Sequence, residues 1–179
     1  AVQDPIIPKF TTLPEDYPVE LAIDFASTRN VSSHLNKTEL VFVIEDTSLT
    51  SERSTSTTVP VSTSRLFSTS ESTHPYSNGF AGVISLHTID IPNHRAEIGY
   101  WMAKEARGKG IGSRAASMIT EYGLMTMGFN RIDGIVDVRN EPSKQLLLNA
   151  GYEFEGIMKK YVTRSDGSQL DMALFAATK

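Results

Sequence analysis

The chemistry-bearing residues of this chain gather around Arg107-Gly108-Lys109-Gly110-Ile111-Gly112. An apolar run, Ala96-Glu97-Ile98-Gly99-Tyr100-Trp101-Met102, precedes it and reads as a strand; Ser113 to Met127 follows and reads as a helix. Three glycines and two cations at a strand-to-helix junction suit a phosphate group. Glycine allows a tight turn and a close approach of backbone to ligand. The first amides of a helix lack internal partners, and the helix dipole favours an anion there. Arg107 and Lys109 add positive charge. An ordinary glycine-rich turn is the other reading of the same composition. Spacing excludes two familiar cradles. G-x-G-x-x-G counted from Gly108 ends on Ser113, and Gly108-Lys109 is followed by Gly110 where a nucleotide-triphosphate loop needs Ser or Thr.

What remains is Arg-x-x-Gly-x-Gly, formed by Arg107, Gly110 and Gly112. This resembles the acetyl-coenzyme A pyrophosphate loop of the GNAT superfamily of N-acyltransferases. Glu97-Ile98-Gly99-Tyr100-Trp101 before the loop is similar to the branch that acetylates ribosomal-protein N-termini, the RimJ/RimL type. So are Asn140-Glu141-Pro142-Ser143 and Asn149-Ala150-Gly151-Tyr152 after it. The resemblance runs from about Gly79 to the C-terminus.

The resemblance implies acetyl-coenzyme A as co-substrate, with no metal. It places the pyrophosphate on Arg107, Gly108, Lys109, Gly110, Ile111, Gly112 and Ser113. The pantetheine arm falls to the backbone of Ile98, Gly99, Tyr100, Trp101 and Met102, and to Asn140. Backbone groups of that strand would also polarise the thioester carbonyl. Gly99 fits a bulge that opens the strand.

Relatives carry a glutamate on the strand before the loop that draws the amine's proton, and Glu97 matches it; a salt-bridged surface glutamate is the alternative. An α-amino group titrates at about 7.7–8.0, so a modest base suffices. His94, in the turn before that strand, is a second titratable candidate, or simply an exposed histidine. Many relatives protonate the leaving thiolate with a tyrosine seven residues after the asparagine; Leu147 stands there. The ribosomal branch has a serine three residues after it, matched by Ser143, which would hydrogen-bond the coenzyme sulfur or else cap a helix beside Pro142. That branch's later strand glutamate has no counterpart in Lys159-Lys160-Tyr161-Val162.

The expected activity is acetyl transfer to a primary amine by direct attack in a ternary complex, since no cysteine exists to carry the acetyl group. A protein N-terminus is the expected acceptor. A small amine, amino sugar or antibiotic is the alternative, and a non-catalytic coenzyme A sensor is the reading from another class.

Around these residues the chain reads as strands, helix, strand, helix and hairpin. Residues 1–18 are proline-rich, with Ile6 to Phe10 as a short edge strand. Val19 to Leu35 carries a helical stripe at Leu21, Ala22, Phe25 and Ala26, either a wall of the acceptor groove or a core helix. Glu39 to Glu45 is a strand. From Thr47 to Ser77 more than half the residues are Ser or Thr. Such a segment buries too little apolar surface to offset its ordering entropy, so a mobile insertion over about 47–78 is expected, with a weak edge strand at Val59 to Leu66.

Gly79 to Ile89 and Arg95 to Met102 form an antiparallel hairpin around Pro92-Asn93-His94. The helix from Ile111 to Met127 has an apolar stripe of Ile111, Ala115, Met118, Ile119, Tyr122 and Met125, its methionines read as core packing. Gly128-Phe129-Asn130 ends it. Arg131 to Val138 is a strand. Pro142 opens a helix that runs to Ala150 with Leu146 and Leu147 inward. Tyr152 to Thr163 and Gln169 to Ala176 close the chain as a hairpin. The expected fold is α+β, an α/β sandwich whose mixed, mostly antiparallel sheet holds a splayed parallel pair flanked by helices, in one domain over 1–179.

Composition bounds the function from outside. The chain has 179 residues, 40% hydrophobic and 21% charged, with net charge −4, so no general basic field attracts nucleic acid. Cysteine is absent, which excludes disulfides and cysteine-based zinc sites. No apolar run reaches the roughly 20 residues that span a bilayer. Ala1-Val2-Gln3-Asp4-Pro5 does not read as a signal peptide, and the missing initiator methionine points to processing or a fragment. A cytoplasmic monomer or homodimer, binding neither nucleic acid nor membrane, is the expectation.

Overall fold

A computed structural model describes residues 4–11, 39–46 and 79–179. Among these residues six strands make one sheet: β1 (Leu40–Glu45), β2 (Phe80–Asp90), β3 (Arg95–Met102), β4 (Arg131–Asp137), β5 (Glu153–Thr163) and β6 (Gln169–Thr178). Their order across the sheet is β1-β2-β3-β4-β6-β5. Among the described strands only β3 and β4 run parallel; every other neighbouring pair is antiparallel. Among the described residues three α-helices accompany them: α1 (Ile6–Phe10), α2 (Ile111–Glu121) and α3 (Glu141–Asn149). The mixed sheet, the parallel pair and the flanking helices match the expected fold. The proposed helix at Val19 to Leu35, the Ser/Thr insertion and the strand at Val59 to Leu66 lie outside the described residues.

One face of the sheet packs on α2 and α3. The alternation along β3 sends Ala96, Ile98 and Met102 to that face, where they join Leu86, Ile132 and Leu147 in the core. The opposite face takes Ser85 and His87 from β2, Glu97 and Gly99 from β3, and Arg131 and Asp133 from β4, as the strand registers require.

Two expectations are corrected. Ile6 to Phe10 is helix, not strand. Pro5, at φ −63, presets a helical turn, and the Asp4 carboxylate accepts the Ile6 N–H at 3.0 Å. Met118 and Met125 are not core residues: they are 71% and 64% exposed. The buried positions are Ile111, Ala116, Ile119, Thr120, Gly123 and Leu124. The last turn, Tyr122–Thr126, widens to π geometry, and Gly123 sits so close to the sheet that a Cβ there would lie 2.6 Å from Ile132 Cδ1. Ile111 and Ile119 are thus buried as expected, whereas Tyr122, like the two methionines, is exposed, and both features favour Gly123 and Leu124 as the inward positions of the last turn.

Candidate functional site

The parallel ladder holds only Arg95↔Arg131, Ala96↔Ile132 and Glu97↔Asp133. Beyond Glu97, β3 stays paired with β2 out to Met102, and β4 with β6 out to Asp137, but the two no longer pair with each other. This makes a fork. Residues 98–102 line one arm and residues 134–137 the other. Ile98 and Met102 direct their side chains into the core, so the fork meets their backbone.

The glycine loop lies just past Met102, after a 3-10 turn at Lys104–Ala106. Gly108 and Gly110 both adopt φ +73, and a Cβ on either would meet nothing within 4 Å. That φ disfavours other L-residues, and among the described residues the space around both glycines is open. Gly110 is the N-cap of α2, and among the described residues no side chain caps the first turn. The amides of Ile111, Gly112 and Ser113 are therefore the orphan donors of an uncapped helix end, the requirement for holding an anion. Gly112 has a packing reason: a Cβ there would lie 2.7 Å from Leu146 Cδ1, on α3. Lys109 is exposed beside the loop. Arg107 differs from the sequence reading. Its Nε and Nη2 donate to the Met102 carbonyl at 3.0 and 2.8 Å, and its Nη1 lies 2.9 Å from the Asp4 carboxylate. The guanidinium thus fastens the loop to the end of β3 and to the N-terminal segment, which includes the buried Ile7.

Across the fork, Asn140 caps α3 by accepting the Ser143 N–H at 3.3 Å. Capping therefore falls to Asn140, and the Ser143 side chain is left for another partner. That partner is Tyr100: the two hydroxyls stand 2.6 Å apart, either able to donate, and the Ser143 carbonyl, 3.2 Å from the phenol oxygen, is a second acceptor in reach of the phenol's single proton. Burial pushes the Tyr100 phenol up to about 12, and the Ser143 bond opposes the rise. Leu147 is fully buried and lies against Gly134, whose Cβ would come 2.7 Å from Leu147 Cδ1. It fills core.

Glu97 is the last paired residue before the fork opens, with His87 opposite it on β2 and Asp133 on β4. It is no surface ion pair, being half-buried. Burial holds its carboxyl above the ordinary range; the His87 imidazole pulls it back, and the Asp133 carboxylate adds to the rise. Asp133 is itself bound to Arg131 at 2.6 Å, and Arg131 reaches Glu155 with both terminal nitrogens at 2.8 and 2.6 Å. Trp101 packs on Phe80 with centroids 5.8 Å apart. His94 is exposed at the opposite end of β3, where its carbonyl accepts from Asn130; the structure does not bring it to the fork.

Sequence reasoning missed His87 and the Tyr100 hydroxyl. A hairpin register counted back from the turn could have found His87, but an irregularity between His87 and Asp90 shifts that count. No local signal marks the Tyr100–Ser143 contact.

The family model described as acetyltransferase (GNAT) domain matches residues 1–153. The chain is similar to the uncharacterized N-acetyltransferase p20 of Bacillus licheniformis, at 34% identity over 98 residues, 55% of this chain and 54% of that protein. It is similar to the ribosomal-protein-serine acetyltransferase of Escherichia coli (strain K12), at 33% over 95 residues, 53% of this chain and 52% of that protein. Among solved structures it resembles Mycobacterium smegmatis RimJ in complex with CoA-disulfide, at 30% identity and TM-score 0.52, covering 56% of this chain and 48% of that one. The match spans about half the length of these curated relatives. With the family model covering most of its length, and with a forked parallel pair closed by a glycine loop and helix, the chain belongs to the GNAT acetyltransferase domain family.

Proposed function

We propose that this chain moves the acetyl group of acetyl-coenzyme A to a primary amine, by direct attack within a ternary complex. We take the acceptor to be a protein N-terminal α-amino group, and the setting to be cytoplasmic. One observation carries the reading: the β3–β4 ladder stops at Glu97↔Asp133, and the uncapped N-terminus of α2 stands at the end of the arm that leads away from it. A long cofactor with an anionic middle and a slender arm has matching groups there.

Bound coenzyme supplies an activated acyl group on a thiol leaving group. The chain's residues do the rest. The amides of Gly108 to Ser113, with Lys109, hold the diphosphate. The backbone of residues 98–102 holds the arm and polarises the acyl oxygen in a site that needs no reorganisation. Glu97, kept basic by burial, is the carboxylate that draws the amine's proton, directly or through a group beside it. Ser143, oriented by Tyr100, donates a hydrogen bond to the departing sulfur. The relative named for ribosomal-protein serine supports a peptide acceptor.

The test is calorimetric binding of coenzyme A together with thiol release from acetyl-coenzyme A. The acceptor panel contains serine- and alanine-initiated peptides, spermidine and an aminoglycoside. Thiol release with the peptides is expected. Release only with small amines moves the acceptor class, and binding without release across the panel reassigns the chain as a coenzyme sensor.

A further inference from the structure

We propose that His87, lodged in the space that Gly99 leaves and paired across the sheet with Glu97, is the group that takes the acceptor amine's proton, at Nε2. This rests on the acetyltransferase reading above.

Three observations converge on it. First, Gly99 lies two residues past the last β3–β4 pair, inside the open fork. A Cβ on Gly99 would come within 2.8 Å of His87 Nε2 and 3.0 Å of His87 Cδ2. The imidazole therefore occupies the volume that any other residue at 99 would fill. It stands nearer the fork's opening than the Glu97 backbone position that it opposes. Second, His87 Nδ1 is 2.9 Å from Thr88 Oγ1. With Nδ1–H donating to that oxygen, the ring takes the tautomer whose Nε2 lone pair is available. Third, the carboxylate row behind the ring suits a transient imidazolium. Glu97 faces it from β3; Asp133 follows on β4, neutralised by Arg131, which is held in turn by Glu155 of β5. On the other side, Glu39 immediately precedes β1, next in line after the Leu40↔Leu86 pair. Glu97 is thus the near counter-charge, and the Arg131 network limits the carboxylate charge beyond it.

The protons balance. The acceptor ammonium gives one proton to Nε2 and becomes a neutral amine. Its lone pair forms the N–C bond as the C–S bond breaks with its electrons on sulfur. The second N–H proton ends on sulfur, and Nε2 returns its own to water. Glu97 positions and stabilises the charged ring.

The experiment compares the parent with His87→Gln and Gly99→Ala. Thiol release is assayed with a serine-initiated peptide and with spermidine, and coenzyme A affinity is measured by calorimetry. His87→Gln is expected to lower kcat by about 10²-fold, the lower end of positioned acid–base catalysis, with coenzyme A affinity within about twofold of the parent. Gly99→Ala, which keeps the imidazole but displaces it, is expected to lose turnover in the same direction. A separate readout needs no turnover. The Glu97 carboxyl carbon, followed by NMR, is expected to titrate at higher pH in His87→Gln, because the ring's downward pull is gone. A parent that releases thiol while both variants retain turnover within about twofold overturns the assignment to His87, as does an unchanged Glu97 titration. A parent that releases no thiol, whether or not it binds coenzyme A, overturns the acetyltransferase reading, and this proposal with it.

Discussion

The hydroxyls of Tyr100 and Ser143 meet at 2.6 Å and tie β3 to the first turn of α3 across the open end of the fork. The phenol, raised to about 12, stays protonated at neutral pH. When it donates to Ser143 Oγ, the serine's own proton is left for a partner in the fork. Ser143→Ala is expected to lower turnover by about 10²-fold with little change in coenzyme affinity. Tyr100→Phe removes one hydrogen bond, about 1 kcal/mol of stability, and lowers turnover by less. Because the two act as a unit, the double variant is expected to turn over no more slowly than Ser143→Ala alone. A double-mutant cycle on kcat and on denaturant midpoint checks this; strictly multiplicative losses would break the pairing.

Arg107 and Lys109 share a loop but differ in what they bind. Arg107→Ala gives up two charge-assisted bonds to the Met102 carbonyl and the contact with Asp4. It is expected to cost about 2 kcal/mol of stability. Lys109→Ala is expected to leave the thermal midpoint in place and to weaken coenzyme A binding about two- to fivefold, with a shallower dependence on salt. Thermal melts and calorimetry at two ionic strengths separate the two effects.

Gly110 isolates the charge of the cradle. A side chain there meets open space but must accept φ +73, at a cost of about 1–2 kcal/mol. Asn and Asp carry that strain about equally and differ only in charge. Gly110→Asp is expected to bind coenzyme A about tenfold more weakly than Gly110→Asn, at matching stability. Equal affinities would remove the anion from this helix end.

Glu97 carries a pH signature in stability. Its carboxyl is raised in the folded chain, first by burial. The folded state therefore holds this proton more tightly than the unfolded state does. Its contribution is fully present below the ordinary carboxylate value and is lost as pH rises through the raised one. Glu97→Gln removes that loss. Its melting temperature is expected to exceed the parent's at pH 7 and to coincide with it near pH 4, while turnover falls. Melts across this range with both proteins give the answer; a constant offset would show that the carboxyl is not raised.

Much of the architecture was legible because its causes are local. Period-two runs marked β2, β3 and β4, Pro142 marked the start of α3, and the glycine triplet marked the turn into α2. Helix α1 was misread because proline content suggested extension. Pro5 in fact supplies a helical φ, and Asp4 supplies an acceptor for the Ile6 amide. The stripe on α2 holds at Ile111 and Ile119 but departs at Met118, Tyr122 and Met125, since a π turn and the close approach of Gly123 to the sheet are decided by what lies opposite.

By itself the sequence determined which backbone could cradle an anion, where the strand before it lay, and which acid stood on that strand. Those depend on residue type and on spacing along one segment. Only the tertiary structure decided that His87 lies against Gly99, that Tyr100 reaches Ser143, and that Arg107 turns away to Met102 and Asp4. Each of these joins side chains from separate elements or sets a side chain's direction. Both depend on strand register, on a local irregularity in it, and on packing, none of which is encoded in the spacing of the residues concerned.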